Sequence, residues 1–218
     1  MLHTIACPRD GRDKRSSVAI SMKAPAKFDL LTIGHSNLPA DGFVALVQGA
    51  GVTAIADVRS VPFSRRFPWF SGPKLAARLQ DADIAYLPFG EALGGRPRDP
   101  ALYCDGVADY EKMAATTPFR AGLDRVGEAM GRFRLCVMCA EREPLECHRC
   151  LLVARALAER GLALGHILVN GTIEPHAVTE DRLLGRAGES DDLFGGRVTR
   201  LAAAYRGRVH KVAARFKA

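Results

Sequence analysis

The chain has no hydrophobic run long enough to cross a membrane, because a membrane-spanning helix needs about 20 mostly apolar residues in succession. Its first residues also lack the apolar segment of a secretory signal peptide. The first absence excludes an integral membrane helix and the second argues against export. We therefore expect no membrane partner and a cytoplasmic location.

Cysteine is infrequent, and the six cysteines are not expected to form disulfides. A chain of 218 residues, 48% of them hydrophobic, can bury a sufficient core without such links. Disulfides are also rare in reducing compartments. Free thiols, a metal site or a catalytic cysteine remain as interpretations. The cysteines are Cys7, Cys104, Cys136, Cys139, Cys147 and Cys150.

The net charge of +7 would indicate an anionic partner of the folded core only if the excess of basic over acidic residues lay there, and it does not. Residues 1–27 carry six Lys or Arg against two Asp, and residues 182–218 carry nine against three acidic residues. Residues 28–181 carry 16 basic and 19 acidic side chains. We interpret 1–27 as a disordered basic tail, in which Met22 is an alternative start, 28–181 as the folded domain and 182–218 as a basic extension.

From residue 28 onward, short apolar runs alternate with amphipathic helical segments. This alternation predicts an α/β fold with crossover connections and a mainly parallel sheet of about five strands. The runs are nearly continuous, which is typical of strands with helices on both faces. We therefore predict a single domain of this kind. The strands are predicted over 28–33, 52–58, 84–88, 133–139 and 166–170, and the helices over 39–49, 74–81, 107–115, 118–131 and 145–160.

Residues 198–216 carry apolar side chains at helical spacing, with Arg and Lys between them. The pattern predicts a basic amphipathic helix at the C-terminus. We favour packing of its apolar face on the core, with a solvated basic face. Contact with an anionic partner such as nucleic acid is the alternative.

Polar side chains follow the ends of three predicted strands. In parallel sheets, ligands bind beyond the carboxyl ends of the strands, so these side chains are expected to converge in one crevice. They are His35 and Ser36 after the first strand, Asp57 and Arg59 after the second, and Cys139 with Glu141 after the fourth.

Two Cys-x-x-Cys pairs near residue 140 resemble a zinc site. Against this, Cys136 and Cys139 lie in a predicted strand, where residues three apart point to opposite faces. The seven residues between the pairs are also few for a zinc ribbon. A metal site that uses only Cys139, Cys147 and His148 stays open as an alternative.

The same segment also suggests a nucleophilic thiol. Pro144 fits the first turn of a helix, which would place Cys147, His148 and Arg149 near that helix N-terminus. The free N–H groups there lower the pKa of a thiol and attract anions. His148 can transfer protons near neutral pH, and Arg149 can bind a phosphate or carboxylate.

Three segments together resemble the family of domains of unknown function numbered 488 (DUF488). They are Thr32-Ile-Gly-His-Ser36, Asp57-Val-Arg-Ser-Val-Pro-Phe-Ser64 and Cys139-Ala-Glu-Arg-Glu-Pro-Leu-Glu-Cys-His-Arg149, within a resemblance that extends over about 30–176. It implies a compact α/β domain without a settled reaction. Cys136 and Cys150 do not belong to the family pattern, which weakens a four-cysteine zinc site. The pattern positions are His35, Ser36, Asp57, Arg59, Ser64, Cys139, Glu141, Cys147, His148 and Arg149.

The leading hypothesis is an enzyme, a thiol-based or carboxylate-based hydrolase, lyase or transferase that acts on a nucleotide or nucleic-acid group. In it, Cys139 or Cys147 is the nucleophile or redox group and His148 is the acid or base, while Asp57 and Glu141 position the substrate. The residues expected to bind this anionic substrate are His35, Ser36, Arg59, Ser64 and Arg149.

Three alternatives remain open. The first is a non-catalytic protein that binds nucleic acid through its basic ends. The second is a metal-binding domain built on Cys139, Cys147 and His148. The third is a lyase or hydrolase that uses the carboxylates of Asp57 and Glu141, in which the cysteines are only structural. No cofactor is expected under the leading hypothesis.

Overall fold

The computed structural model describes residues 28–187 and 196–214. The tail predicted over 1–27 lies outside the described residues. The strands are β1 (Leu30–Gly34), β2 (Ala54–Asp57), β3 (Ala85–Pro88), β4 (Tyr103–Cys104), β5 (Val107–Ala108), β6 (Leu135–Cys139), β7 (Leu164–Ile167) and β8 (Ile173–Pro175). The helices are α1 (Ala40–Gly49), α2 (Gly72–Gln80), α3 (Gly90–Leu93), α4 (Tyr110–Ala115), α5 (Thr117–Met130), α6 (Arg155–Glu159), α7 (His176–Ala187) and α8 (Arg197–Ala213).

Six strands form one sheet in the order β3-β2-β6-β1-β7-β8, and β4 pairs with β5 in a separate hairpin. The first five strands in this order are parallel and β8 is antiparallel to β7. The α/β fold is confirmed, and a strand occurs at each of the five predicted places, although the last runs over Leu164–Ile167 rather than 166–170. The sequence does not predict the sixth strand, β8, because three residues that end in proline carry too little strand pattern.

Helices cover both faces of the sheet, so alternate strand residues enter two different cores. In β6, Cys136 packs in the core formed with α1 and α2. Cys139 packs in the opposite core, which includes side chains of α5 and α8. The two cysteines therefore face opposite sides of the sheet, as the strand pattern predicts.

The helix predicted over 145–160 is wrong in its first half. Pro144–Glu146 form a single 3₁₀ turn, and Cys147 is extended at φ −139° and ψ 139°. A π-helical turn over Arg149–Ala154 follows and leads into α6. Cys147 thus lies in a break before the helix rather than within its first turns.

The helix predicted over 107–115 begins later than expected. Val107 and Ala108 pair in the short hairpin, and Asp109 then caps α4 by accepting hydrogen bonds from the N–H groups of Glu111 and Lys112 at 3.0 Å. Asp is a strong helix N-cap residue, and this signal marks the observed boundary.

The C-terminal helix α8 packs on the domain, with Ala204, Tyr205 and Val212 buried. Several of its basic residues pair with acidic residues of the domain. Arg197 contacts Asp181 at 2.6 Å, and Arg208 contacts Glu146. This basic face is therefore partly neutralised by the protein itself.

Among the helices that the structure describes, none combines the length and apolarity needed to cross a lipid bilayer.

Candidate functional site

The carboxyl ends of β1, β2 and β6, which are neighbours in the sheet, meet at a cavity of about 430 Å³. His35, Arg59, Cys139 and Glu141 come from these strand ends and line it. Loops that follow β2 and β3 complete the wall. Their contributions include Ser60, Phe63, Ser64, Arg65, Gly95 and Arg96, and Tyr110 and His148 also line the cavity.

Gly34 allows the ends of β1 and β6 to approach closely. A Cβ at this position would overlap the backbone carbonyl of Glu141 and contact Arg149. The following N–H groups continue the pairing, since His35 donates to the Cys139 carbonyl at 2.9 Å and Ser36 donates to the Ala140 carbonyl at 2.8 Å. The Gly-His-Ser segment thus continues the pairing of β1 with β6 as far as the cavity.

Four side chains from the β6 end and the break before the π-helical turn form the centre of the site. The Glu141 Oε2 atom lies 3.1 Å from the Cys139 sulfur and 2.9 Å from the Cys147 sulfur. The His148 Nδ1 atom lies 3.6 Å and 4.0 Å from the same sulfurs. We call Cys139, Glu141, Cys147 and His148 the thiol cluster.

His148 is oriented from both sides of its ring. Its Nε2 donates to the Val58 carbonyl at 2.9 Å, so Nδ1 faces the two sulfurs. On the other side, a Cβ at Gly95 would come within 2.6 Å of the His148 Cγ atom. The loop that carries Gly95 therefore packs directly against the imidazole.

Ionisation in the thiol cluster is strongly coupled. Burial and the neighbouring Cys147 raise the pKa of the Cys139 thiol well above its ordinary value. Burial also opposes ionisation of Cys147, but the hydrogen bond from Cys139 and the positive charges of Arg149 and His148 outweigh it and lower the pKa of Cys147 well below its ordinary value. Burial and Cys147 raise the pKa of Glu141. Of the two thiols, Cys147 is therefore the one that loses its proton more readily.

Arg149 supports the thiol cluster from beneath and does not line the cavity. Its side chain is completely buried. Its terminal nitrogens donate to the backbone carbonyls of Glu141 and Arg142, the latter at 3.0 Å. Its Nε atom has no hydrogen-bond partner among the described residues. Arg149 thus fixes the loop after β6, where the sequence suggested a direct substrate contact.

Asp57 and Arg59 form a buried ion pair beside the thiol cluster. The Arg59 Nε and Nη2 atoms bind the Asp57 carboxylate at 2.9 Å and 2.6 Å, and Tyr86 donates to the same carboxylate at 2.7 Å. The remaining Arg59 nitrogen, Nη1, lies 3.3 Å from His35 Nε2. Burial and the Arg59 charge lower the pKa of His35 to about 4, so its Nε2 accepts this contact as a neutral ring.

A comparison with known protein families identifies the family of this chain. A family model described as a domain of unknown function, DUF488, matches residues 39–156, more than half of the chain. The chain belongs to the DUF488 family. The matched range contains the Asp57 and Cys139 segments but begins after Ser36, so it is shorter than the 30–176 expected from the motifs. No curated protein and no solved structure matches the chain.

Two predicted residues of this DUF488 domain, Ser64 and Ser36, are not part of the thiol cluster. Ser64 lines it, but its Oγ also accepts the N–H of Phe67 at 3.0 Å, which gives it a structural role in the loop. Ser36 lies in a neighbouring shallow cavity with Arg66 and Arg142, and its φ of 48° places it in the left-handed region. Ser36 is therefore not part of the thiol cluster.

Arg65, Arg96 and Tyr110 are among the cavity-lining residues of the DUF488 domain that sequence reasoning missed. The two arginines lie in loops without periodic pattern, and Tyr110 is the first residue of α4. The Gly94-Gly95 pair was the available signal for the second loop, because Gly94 packs against Ser60 and Gly95 against His148.

The thiol cluster also has the composition of a metal site. Its four donor atoms all lie within 4.8 Å of one another. Cysteine sulfur, imidazole nitrogen and carboxylate oxygen are common zinc ligands, and tetrahedral zinc needs four of them. The contact between His148 Nε2 and the Val58 carbonyl resembles the outer hydrogen bond that metal-binding histidines usually make.

Proposed function

We propose that this DUF488 domain is an enzyme that uses the cavity-facing thiol of Cys139 on an anionic substrate, and that this substrate is a nucleotide or a nucleic-acid group. The observation that carries the proposal is that Cys139 and His148 line the same cavity as Arg59, Arg65 and Arg96. Nucleophile, proton donor and anion-binding groups thus face one space of a size typical of small-molecule sites.

Cys139 is the nucleophile because it lines the cavity, whereas Cys147 lies behind it. Cys139 keeps its proton in the resting cluster, because burial and Cys147 raise the pKa of its thiol. As Cys139 attacks, this proton passes to the Glu141 carboxylate, whose Oε2 atom lies 3.1 Å from the sulfur and which acts as the base. Burial raises the pKa of Glu141, which makes it a stronger base than an exposed carboxylate.

His148 supplies the proton for the leaving group. Hydrogen bonding to Cys147 and the nearby acidic groups raise its pKa, in spite of burial, which favours the protonated ring. Its Nδ1 atom lies 3.6 Å from the Cys139 sulfur, so it can give a proton to a leaving group held at that sulfur.

The cavity wall supports an anionic, nucleotide-like substrate. Asp57 already fixes the side chain of Arg59, so Arg59 loses little conformational entropy when it binds an anion. Phe63 also lines the cavity and is 63% exposed. An exposed aromatic ring beside arginines suits stacking of a nucleobase, as in many proteins that bind single-stranded nucleic acid. The reduced thiols that this chemistry requires are favoured in a reducing compartment such as the cytoplasm.

The test is cysteine alkylation mapped by mass spectrometry, with and without a mononucleotide. Cys104, which is exposed, serves as the internal reference thiol. We expect the mononucleotide to slow the alkylation of Cys139, because it fills the cavity, and to leave the alkylation of Cys104 unchanged. A variant that combines Arg65→Ala with Arg96→Ala should lose the protection. Slow alkylation of Cys139 that no nucleotide affects would contradict the proposal.

A zinc centre in the thiol cluster is the second candidate, favoured by four donor atoms within 4.8 Å. Metal analysis of anaerobically purified protein separates the two candidates. One zinc ion per chain that is lost in Cys139→Ser and Cys147→Ser, but kept in Cys104→Ser, supports the zinc centre. Metal-free protein with a reactive Cys139 supports the thiol enzyme.

Binding of nucleic acid through the basic ends has less support. Arg206 of α8 contacts Glu111 at 3.6 Å and Arg197 contacts Asp181, so part of this charge is already paired. Residues 1–27 lie outside the described residues. Filter binding with and without residues 1–27 measures their contribution.

A further inference from the structure

A second group of metal-ligand side chains lies outside the cavity, on the other side of Arg149. Cys150 comes from the π-helical turn, His166 from β7 and His176 from the start of α7. One donor atom of each lies within 4.8 Å of the other two. Their exposed fractions are 0%, 0% and 5%. Neither the DUF488 pattern nor the thiol cluster includes these residues.

The two imidazoles face each other edge to edge. His166 Nε2 lies 2.9 Å from His176 Nδ1, so in the absence of an ion one nitrogen donates to the other. Only one proton fits in this contact. An ion placed between the rings would use both nitrogen lone pairs and the Cys150 sulfur.

The remaining ring nitrogens already have oxygen partners. His166 Nδ1 lies 2.7 Å from the Thr32 hydroxyl, and His176 Nε2 lies 3.3 Å from the Tyr205 hydroxyl. Metal-binding histidines almost always donate their other N–H to an oxygen in this way, which fixes the tautomer and the ring orientation. When the proton of the contact between the rings moves to an outer nitrogen, both His166 Nε2 and His176 Nδ1 offer a lone pair to an ion.

The charge of the surroundings selects the kind of ion. A Cys150 thiolate balances one positive charge, and an uncompensated charge in a dry core is costly. The positive charges of Arg149 and Arg182 also act on this group, and the Glu180 carboxylate, 3.7 Å from His176 Nε2, is shared with Arg197 at 3.6 Å. A divalent ion would therefore add one more uncompensated positive charge to the core than a monovalent ion.

We infer that Cys150, His166 and His176 form a three-coordinate site for a soft monovalent metal ion, copper(I). Thiolate and imidazole are ligands that copper(I) accepts. On binding, the Cys150 thiol loses its proton to solvent and a sulfur–copper bond forms. No oxidation or reduction takes place. This site is independent of the function proposed for the thiol cluster.

The experiment uses the full-length chain with Cys139→Ser and Cys147→Ser, so that the thiol cluster cannot bind the ion. Copper(I) is titrated anaerobically against a competing copper(I) chelator. We expect one equivalent bound per chain, with affinity at least about tenfold lower when Cys150→Ala is added, which corresponds to about 1.4 kcal/mol. Cys136→Ala is the matched control, because Cys136 is equally buried on the opposite face of the sheet.

X-ray absorption of the copper-loaded protein provides the second measurement. One sulfur and two nitrogen neighbours around copper are expected, together with an increase in thermal stability that Cys150→Ala abolishes. The inference is overturned if no copper binds, if Cys150→Ala and Cys136→Ala behave alike, or if zinc binds as tightly as copper(I). Equally tight binding of zinc would show that the charge of the ion does not determine which metal the site selects.

Discussion

Asp57 binds the guanidinium of Arg59 through both carboxylate oxygens, although the two residues are only two positions apart in the chain. Asp57 also accepts the backbone N–H of Arg59 at 3.0 Å, so the turn after β2 and the ion pair stabilise each other. This double contact directs the third guanidinium nitrogen towards His35 and the cavity.

Asp57→Asn should therefore destabilise the fold and release Arg59. The ion pair is almost completely buried, and removal of one charge leaves the other without compensation, which costs about 3 kcal/mol or more. Urea unfolding at pH 7 measures the loss. The matched control is Asp41→Asn, which breaks the exposed pair with Arg78 and should cost less than about 1 kcal/mol. If both variants lose the same free energy of unfolding, the buried ion pair stabilises the fold no more than the exposed one.

Gly34→Ala should disturb the thiol cluster through the backbone. The added Cβ would overlap the Glu141 carbonyl, which cannot move without the loop that Arg149 holds. We expect a loss of about 2 kcal/mol or more in the free energy of unfolding. Gly49→Ala is the control, because a methyl group at this position of α1 would have no atom within 4 Å and the helix should tolerate or favour alanine there. The idea fails if both variants unfold at the same urea concentration.

Gly95→Ala tests the contact between the second loop and His148 without a change in any ionisable group. The added methyl would displace the imidazole and weaken its contact with the Val58 carbonyl. The positive charge of His148 lowers the pKa of Cys147, and a displaced imidazole has less effect. The apparent pKa of the thiol pair in an alkylation profile should therefore rise. Gly127→Ala, in an open position of α5, should leave the profile unchanged.

His35 should make the protein less stable as the pH falls from about 6.5 towards 4. Burial and Arg59 lower its pKa from 6.5 to about 4 in the folded state, so in this window the unfolded chain binds a proton that the folded chain does not. By linkage, stability decreases as the pH decreases, by up to about 3 kcal/mol for a shift of this size. Below pH 4 both states are protonated and the loss is complete.

Urea unfolding at pH 7 and pH 4.5 checks this sign. His35→Gln should show a smaller difference between the two pH values than the unchanged chain. His210→Gln, which alters an exposed histidine on α8, should retain the full difference. A steeper dependence in His35→Gln would reverse the assigned sign. His176, whose pKa burial also lowers to about 4, accounts for part of the remaining slope.

The parts of the site on strand ends were predictable, because apolar runs locate the strands and parallel pairing brings their ends together. This reasoning alone brings His35, Arg59 and Cys139 near one another. The break at Cys147 was not predictable, since the local sequence from Pro144 onward favours a continuous helix, whereas the Cys147 sulfur contacts the Glu141 carboxyl and accepts the N–H of Arg149.

The group of Cys150, His166 and His176 shows a second limit. The three residues come from three different elements, and their meeting depends on α7 crossing beside β7. No spacing rule for metal ligands connects positions 150, 166 and 176. The same applies to Arg65 and Arg96, whose loops take their course from packing against Ser60 and His148 rather than from their own sequence.

The position of β6 between β2 and β1 has a consequence for the growing chain on the ribosome. β1 and β2 are made first but do not pair with each other, so the nascent protein holds an open gap in its sheet until residues 135–139 emerge. The strand that closes this gap also delivers Cys139. Synthesis of this thiol and closure of the gap between β1 and β2 are thus a single event, and a chain that stops before this point exposes unpaired edges of both strands at which nascent chains can associate.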